Sequence, residues 1–484
     1  MTAAGPSGDL IDVVVVGAGA AGAAAFLEAA DTGATVLGID QLAAFGGTAA
    51  TSGGGCCVAG TASQRARGIV DAPELAVADL VAAAGGQAHE PWARRYFEQS
   101  AGHVHDWLVD LGLEFVDVRG HDNTSVPRWH QPRGNGRGLM DVLWRAVVDR
   151  DLADRWLWST TVTDLLTAGD AIGGVMTTDA GGREHPVRAG AVVMATGGFA
   201  GDRDQVLEHA PALRSVERLL VGGGAGALGT GHRILARRGA VLAHTENICA
   251  YAYATPDYRD AAGLRGLVVR RIDDAIWVNR AGHRFHDESR AGPDAGTPAV
   301  LAQQPPTCWA ILDRPMALGM RVADPYFRDT AAERIEELLD GSPFIHAADE
   351  PAGLARAAGI DPIVLARTVA DWNARIAAGV ERDPATGRSL VGVRGILEPP
   401  LYAMQFFPLA RKTLGGVRTD LECRVLDATG TAIPGLFAAG ELAGFGGGHL
   451  SGRGTIEGLM IGASLYGGRV AGAAAARAAL EPTG

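Results

Sequence analysis

A glycine fingerprint stands near the start of the chain. Gly17, Gly19 and Gly22 fill the GxGxxG positions of GAGAAG, and the acid Asp40 follows 23 residues after Gly17. That combination fits a dinucleotide. Gly17 permits the tight turn, Gly19 lets a pyrophosphate approach the backbone, and Gly22 lets helix and strand pack closely. The helix start offers free N–H groups and partial positive charge to the phosphates. Asp40 is placed to accept hydrogen bonds from ribose hydroxyls. A glycine-rich turn without a ligand is the competing reading, and the flanks argue against it. IDVVVV at 11–16 reads as a buried parallel strand, an Ala-rich helix runs to about Thr32, and TVLGI at 35–39 reads as a second strand.

Two more strand-like runs end in glycine. AVVM at 191–194 leads into ATGG, and GLFAA at 435–439 leads into Gly440 and Glu441. Between them, 90–115 and 137–150 have helical amphipathic spacing, with Trp92, Tyr96, Trp107 and Leu108 expected in the core. The middle differs: VVRRIDDAIWVN is strand-like, Pro-rich loops follow, and helices are expected at 329–340, 350–358 and 362–378. Gly-rich strand-and-turn patterning returns after about 395. The expected architecture is α/β: a Rossmann-like nucleotide domain built from 1–240 and 395–484, with an α+β cap domain inserted at 241–394.

Composition narrows the partners. The chain has 484 residues, 47% hydrophobic and 20% charged, as in an ordinary globular protein. With 43 Lys+Arg against 55 Asp+Glu, the net charge of -12 argues against nucleic acid or an anionic membrane as partner. No unbroken apolar run reaches about 18 residues, so no membrane span is expected. The opening MTAAGPSGDL lacks an export pattern, and a cytoplasmic location is expected. The 5 cysteines include no CxxC, so neither a disulfide framework nor structural zinc is expected, and the neighbours Cys56 and Cys57 read as small apolar filler. His283 and His286, like His103 and His105, lack a third ligand, and no metal is expected. One lysine, Lys412, stands among the 43 basic residues.

FGGTAATSGGG at 45–55, ATGGF at 195–199 and PGLFAAGE at 434–441 together resemble the FAD-binding pattern of the fumarate reductase/succinate dehydrogenase flavoprotein superfamily, which includes the 3-ketosteroid dehydrogenases. GGTAATSGGG is especially similar to the ketosteroid dehydrogenase form. VNRAGHRFHDES at 278–289 resembles the superfamily's cap signature, and KTLGGVRTD at 412–420 its return to the flavin domain. The resemblance spans nearly the whole chain. It implies a glutathione-reductase-type FAD domain with FAD as cofactor. The implied FAD contacts add Ala20 and Ala21 at the helix start and Gln41 beside Asp40. In the second loop, Gly46, Gly47, Gly53, Gly54 and Gly55 would let backbone pass close to a flat ring, and Thr48 and Ser52 could donate hydrogen bonds. Ala195, Thr196 and Gly197 form the next group. Gly440, Glu441 (the acid that binds the ribityl chain in the family), Thr455 and Ile456 complete the set. Gly47 stands where succinate dehydrogenases carry covalent FAD on a histidine, so non-covalent FAD is expected.

The resemblance also implies a reaction: a hydride moves between flavin N5 and a carbon next to an activating group, a second group moves a proton, and a C=C bond forms or is reduced. Of the dicarboxylate clamp of soluble fumarate reductases, Arg453 in HLSGR matches. The clamp histidines fall on Lys412 and near Tyr251, and the proton-delivering arginine falls on Gly292, with Arg290 nearest. The tyrosine that ketosteroid dehydrogenases carry in the late Gly-rich loop is absent from GFGGGHLSGRG at 444–454, where His449 stands. The expected activity is dehydrogenation or reduction of a C–C bond next to a carbonyl or carboxylate, with dehydrogenation of a ketone or ketosteroid-like substrate favoured. Electrons would go to or come from a separate molecule.

Each catalytic candidate has a plain alternative. Arg453 binds a substrate oxygen or holds its loop by a salt bridge. Lys412 moves a proton or is a surface lysine. His449 donates to a substrate oxygen or is structural. Tyr251 and Tyr253 alternate on one strand face and serve as acid or base, or pack the cap. Arg290 delivers the proton off register. Glu457 is expected to cap its helix or pair with Arg453. Three other functions compete: a fumarate-reductase-like alkene reductase, a non-catalytic flavin-binding protein, and an NAD(P)H-dependent flavoprotein. The last rests on a second GxGxxG at Gly224, Gly226 and Gly229, with Glu246 22 residues after Gly224.

Overall fold

The computed structural model describes residues 11–327 and 331–481. The opening MTAAGPSGDL and the first residues of the helix expected at 329–340 lie outside the described residues. The chain forms two units. One holds the described residues through Gln205, then Gly223–Ile248 and the chain from Lys412 onward. The other holds Val206–Gly222 and Cys249–Arg411.

In the first unit the valine run forms β1 (Ile11–Val16), the fingerprint opens α1 (Ala20–Asp31), and β2 (Val36–Ile39) follows. β1 is central and parallel to both neighbours, pairing Val13 with Val36 on one side and Val14 with Val192 on the other. The strand Glu184–Met194 in turn pairs in parallel with Ala432–Ala438, and Trp156–Leu157 closes the far edge beside β2. Such a sheet, covered on both faces, needs continuous apolar strands, and β1 is buried along almost its whole length. The long helix Leu459–Leu480 packs along α1. A Cβ at Gly468 or Gly472 would overlap the carbonyl oxygens of Ala21 or Ala25, so the Ala/Gly composition of both helices is what brings their backbones together. α1 is therefore fixed from both sides.

The same unit buries charge away from the sheet. The Arg128 side chain is fully enclosed, pairing with Asp71 at 2.8 Å and with Asp79. Beside it, His130 Nε2 meets the Thr61 hydroxyl at 2.7 Å, and Nδ1 lies 2.8 Å from the carbonyl of Arg128. Burial lowers the His130 pKa from 6.5 to about 4, against the opposing pull of its backbone hydrogen bonds. The folded state therefore keeps this imidazole neutral where the unfolded chain protonates it. Its contribution is complete above pH 6.5 and is lost as pH falls towards 4. Chemical denaturation between those pH values is expected to show stability falling on acidification, with an upper bound of about 3 kcal/mol from this group. His130→Gln is expected to give a shallower fall, and an unchanged slope would count against a buried neutral His130.

The second unit is a mostly antiparallel sheet in which Leu401–Thr413 pairs with Cys308–Leu312 and with Ile345–Ala348. That long strand sets the chain's return to the first unit at Lys412, later than the 395 drawn from sequence. VVRRIDDAIWVN forms two strands, Gly266–Arg270 and Ile276–Val278, split where Arg271 takes a left-handed φ of 60°. The cap signature is a structural ionic core. Glu288 accepts from Arg284 at 2.7 Å and from Arg388 at 2.9 Å, and also from the Trp277 N–H at 3.1 Å. Arg284 also pairs with Asp383 and lies over the Trp372 ring at 4.4 Å. Among the described residues no helix is long and apolar enough to cross a membrane.

Candidate flavin site

Four loops leave the C-terminal ends of adjacent parallel strands: Gly17–Gly22 after β1, Asp40 after β2, Ala195–Gly198 after Glu184–Met194, and Gly440–Glu441 after Ala432–Ala438. The chain runs from β1 to one neighbour first and reaches the other much later, so the carboxyl end of β1 is a topological switch point, where open α/β sheets bind ligands.

The loops interlock through atoms with no room to spare. A Cβ at Gly17, whose φ is 109°, would overlap the carbonyl oxygen of Ala195. One at Gly22 would overlap the carbonyl oxygen of Gly17, and one at Gly440 would press on the Ala21 side chain. Gly19 is the contrast: a Cβ there would meet nothing within 4 Å, and no side chain caps the helix that begins at Ala20. An open approach to an uncapped helix start is what a pyrophosphate requires. Asp40 closes the far side. Its Oδ2 accepts from the Ala18 N–H at 2.6 Å and Oδ1 from the Leu42 N–H at 2.7 Å, leaving lone pairs on both oxygens for hydroxyl donors. Burial raises its pKa, and the two backbone hydrogen bonds oppose this.

The second loop hooks over the fingerprint by the Gly46 N–H to the Ala18 carbonyl, 3.0 Å. Gly47 follows, where a Cβ would lie 3.0 Å from the Gly19 Cα. A Cβ at Gly55 would overlap the Trp129 indole and one at Gly53 would lie 3.3 Å from it, while Gly54 clears the backbone of Gly136. Ser52 serves the same turn, donating to Ala49 O at 2.7 Å and accepting from the Gly54 N–H at 3.0 Å. Gln41 donates to Gly226 O at 3.1 Å. Thr48 lies against Gly224, where a Cβ would overlap its hydroxyl. The Thr196 hydroxyl is turned to Gly231 and has no hydrogen-bond partner among the described residues, while Gly197 faces open space. Glu441 Oε1 accepts from the Thr413 N–H at 2.8 Å and its hydroxyl at 3.1 Å, directly over Gly198. Thr455 and Ile456 are buried ahead of the helix Leu459–Leu480.

The second GxGxxG has another cause than a second nucleotide. The strand before it, Leu220–Val221, pairs with Leu409–Ala410, and after the helix Thr230–Arg237 the strand Leu242–Ala243 runs antiparallel to Gly416–Val417. No parallel βαβ unit forms there. Gly224 and Gly226 are small because they pack on Thr48 and Gln41.

The family described as FAD binding domain matches residues 12–455. The chain belongs to this family of flavoproteins. The flavoprotein is 30% identical over 545 residues to a KsdD-like steroid dehydrogenase of Mycobacterium tuberculosis, covering 96% of this chain and 95% of the relative. A solved flavocytochrome c3 fumarate reductase in an open conformation superposes with a TM-score of 0.80 at 28% identity, covering 99% of this chain and 80% of that one. A 3-ketosteroid-Δ4-(5α)-dehydrogenase of Rhodococcus jostii RHA1, in complex with 4-androstene-3,17-dione, gives 0.71 at 29% identity over 97% and 98%. The flavoprotein is an FAD-dependent oxidoreductase acting on CH–CH groups. The loops at the switch point would hold the FAD: pyrophosphate at Gly19 and the start of α1, ribose at Asp40.

The catalytic candidates divide between the units. In the flavin unit His449 is half-buried, its Nδ1 enclosed without a hydrogen-bond partner among the described residues. Its ring lies 5.2 Å from His89 and 4.7 Å from His244. Burial first, then charge on His89, His244 and Arg418, lowers its pKa to about 4, so it is neutral near pH 7. Sequence spacing did not single out His89 or His244, whose only signal was residue type. The glycines before His449 pack on this neighbourhood: a Cβ at Gly447 would lie 2.7 Å from His89 Nε2. Arg453 is exposed. Lys412 is half-buried, one residue before Thr413.

In the second unit Tyr251 and Tyr253 share one face of the strand Ile248–Pro256. They are 4% and 8% exposed, their rings stack at 5.1 Å, and Arg270 lies 5.9 and 5.6 Å from their centroids. Arg290 lines a cavity of about 350 Å³ with His286, Asp287 and Thr386, and its carbonyl meets His286 Nε2 at 2.9 Å. All 5 cysteines are buried, and no group of three or more metal-ligating side chains occurs among the described residues.

Proposed function

We propose that the flavoprotein dehydrogenates a C–C bond next to the carbonyl of a cyclic, ketosteroid-like ketone, with FAD held non-covalently and a separate molecule taking the electrons. The observation that carries this reading is the chemistry of the candidate groups. A dicarboxylate needs several fixed cations. The candidate groups are instead one exposed arginine, Arg453, and a histidine kept neutral, His449, in the flavin unit, and a pair of phenols, Tyr251 and Tyr253, in the other unit. A neutral imidazole suits a neutral carbonyl oxygen, to which it donates without the desolvation cost of burying an ion, and a phenol/phenolate pair can move a proton. The relative of nearly equal length, a KsdD-like steroid dehydrogenase, supports the same substrate class.

When bound, FAD takes the hydride, so the protein supplies only orientation and the proton's path. Tyr251 or Tyr253, acting as phenolate, takes the proton from the carbon next to the carbonyl and becomes the neutral phenol. His449 donates to the carbonyl oxygen, and Arg453 steers polar substituents.

The test is anaerobic. Oxidised-flavin absorbance is followed while saturated cyclic ketones, ketosteroids, monocarboxylates and dicarboxylates are added one at a time. Bleaching by ketones and by no acid is expected. Bleaching by succinate alone, or re-oxidation of the photoreduced enzyme by fumarate and by no enone, would overturn the reading in favour of a fumarate-type enzyme. A flavin inert to the whole panel would favour a non-catalytic protein.

A further inference from the structure

We infer that Ser63 is a base-activated nucleophile, held with His105 and Asp106 in a hydrogen-bonded triad, that takes an acyl group from an activated ester. The site is separate from the flavin loops and from every catalytic candidate of the proposed dehydrogenation, and it does not depend on that reading.

Ser63 Oγ lies 2.7 Å from His105 Nε2, and His105 Nδ1 lies 2.7 Å from Asp106 Oδ1. A carboxylate only accepts, so Nδ1 carries the ring hydrogen and Nε2 presents its lone pair. The Ser63 hydroxyl is then the donor to Nε2. Nucleophile, base and orienting acid stand in the order that activates serine. The imidazole is held firmly. It is 3% exposed, stacks on Phe115 at 5.0 Å and 12°, and meets the edge of His130 at 5.3 Å. It sits in the π-helical turn Ala101–Asp106, the kind of irregularity that recurs at functional sites. The two ends of the triad meet solvent: Ser63 is half-buried, and the Asp106 side chain is 58% exposed. Ser63 is thus not sealed from solvent, while the base stays enclosed.

The step balances without an oxidant. Ser63 Oγ forms a bond to the acyl carbon and its proton passes to His105 Nε2. The ester C–O bond breaks, and His105 returns the proton to the departing alcohol.

The test uses the FAD-loaded protein and a fluorophosphonate. With this probe an Oγ–P bond forms, the P–F bond breaks, fluoride leaves, and the serine proton reaches solvent through His105. A single adduct on Ser63 is expected by peptide mass, absent from Ser63→Ala. His105→Gln is expected to slow labelling by about a hundredfold, the lower range for loss of a general base. Flavin absorbance and melting temperature report whether that variant is folded. Should it not fold, Asp106→Asn, altered at an exposed carboxylate, is expected to slow labelling in the same direction. No adduct on Ser63 in the folded protein, or labelling at the parent rate in a folded His105→Gln or Asp106→Asn variant, would overturn the inference.

Discussion

Gly22→Ala is expected to purify without flavin and with a lowered melting temperature, whereas Gly19→Ala should lose flavin but melt, as apoprotein, like the parent. At Gly22 the added carbon would overlap the carbonyl oxygen of Gly17 and lie 2.9 Å from its carbonyl carbon. These are backbone atoms, so no rotamer relieves the clash. α1 cannot retreat either, because Gly468 and Gly472 already bring the helix Leu459–Leu480 against its far side. Overpacking of this kind costs about 1–3 kcal/mol or more, and it displaces the helix start that meets the pyrophosphate. Gly19 differs, since its φ of −81° suits alanine and nothing protein-borne lies within 4 Å. A methyl group there obstructs only a ligand. About 1.4 kcal/mol lost from binding lowers affinity tenfold, so the ratio of flavin to protein absorbance after gel filtration should fall clearly in both variants. Full flavin content in Gly19→Ala would mean that this loop does not cradle the pyrophosphate.

The features legible in sequence are those whose causes are local. β1, α1 and β2 follow from an apolar run, three glycines and an acid within one βαβ unit, and the expected and observed bounds nearly coincide. The helix pair Pro351–Ala358 and Pro362–Ala377 was legible for the same reason, each beginning on a proline in its first turn. What could not be read is set by partners far along the chain. Gly53 and Gly55 read as clearance for a cofactor ring, and their packing against Trp129, 74 or more residues along the chain, left no local mark. The fingerprint at Gly224 had the right spacing for a nucleotide and owes its glycines to Thr48 and Gln41. The cap signature kept Arg284 and Glu288 for an ionic core completed by Asp383 and Arg388, whose positions carry no local mark. His449 drew notice through its glycines, but its neutral state depends on burial and on His89 and His244. Spacing identifies a loop; what the loop is pressed against decides whether its glycines serve the ligand or the protein.

The other large effect is expected from the tyrosine pair. Tyr251→Phe and Tyr253→Phe each delete one oxygen and keep both rings, so the 5.1 Å stack and the Arg270 cation–π contacts persist. Folding should change by no more than about 1 kcal/mol, the net worth of an ordinary hydrogen bond. A phenol that moves the proton is a different matter. Loss of a general acid or base costs about 10²–10⁴-fold, and one of the two variants is expected to show that loss in the anaerobic rate of flavin reduction by its ketone. The other is expected to show a smaller loss, as a phenol that only orients its neighbour. Arg453→Met serves as the comparison. A steering arginine weakens substrate binding, so KM should rise while the rate at saturation changes little. The contrast follows from position: the tyrosines are enclosed where a proton can be moved in a low-dielectric setting, and Arg453 is exposed, where its charge is screened. If both Tyr→Phe variants reduce flavin at the parent rate while melting normally, the proton passes through another group, and His449, held neutral with a free Nδ1, becomes the next to replace.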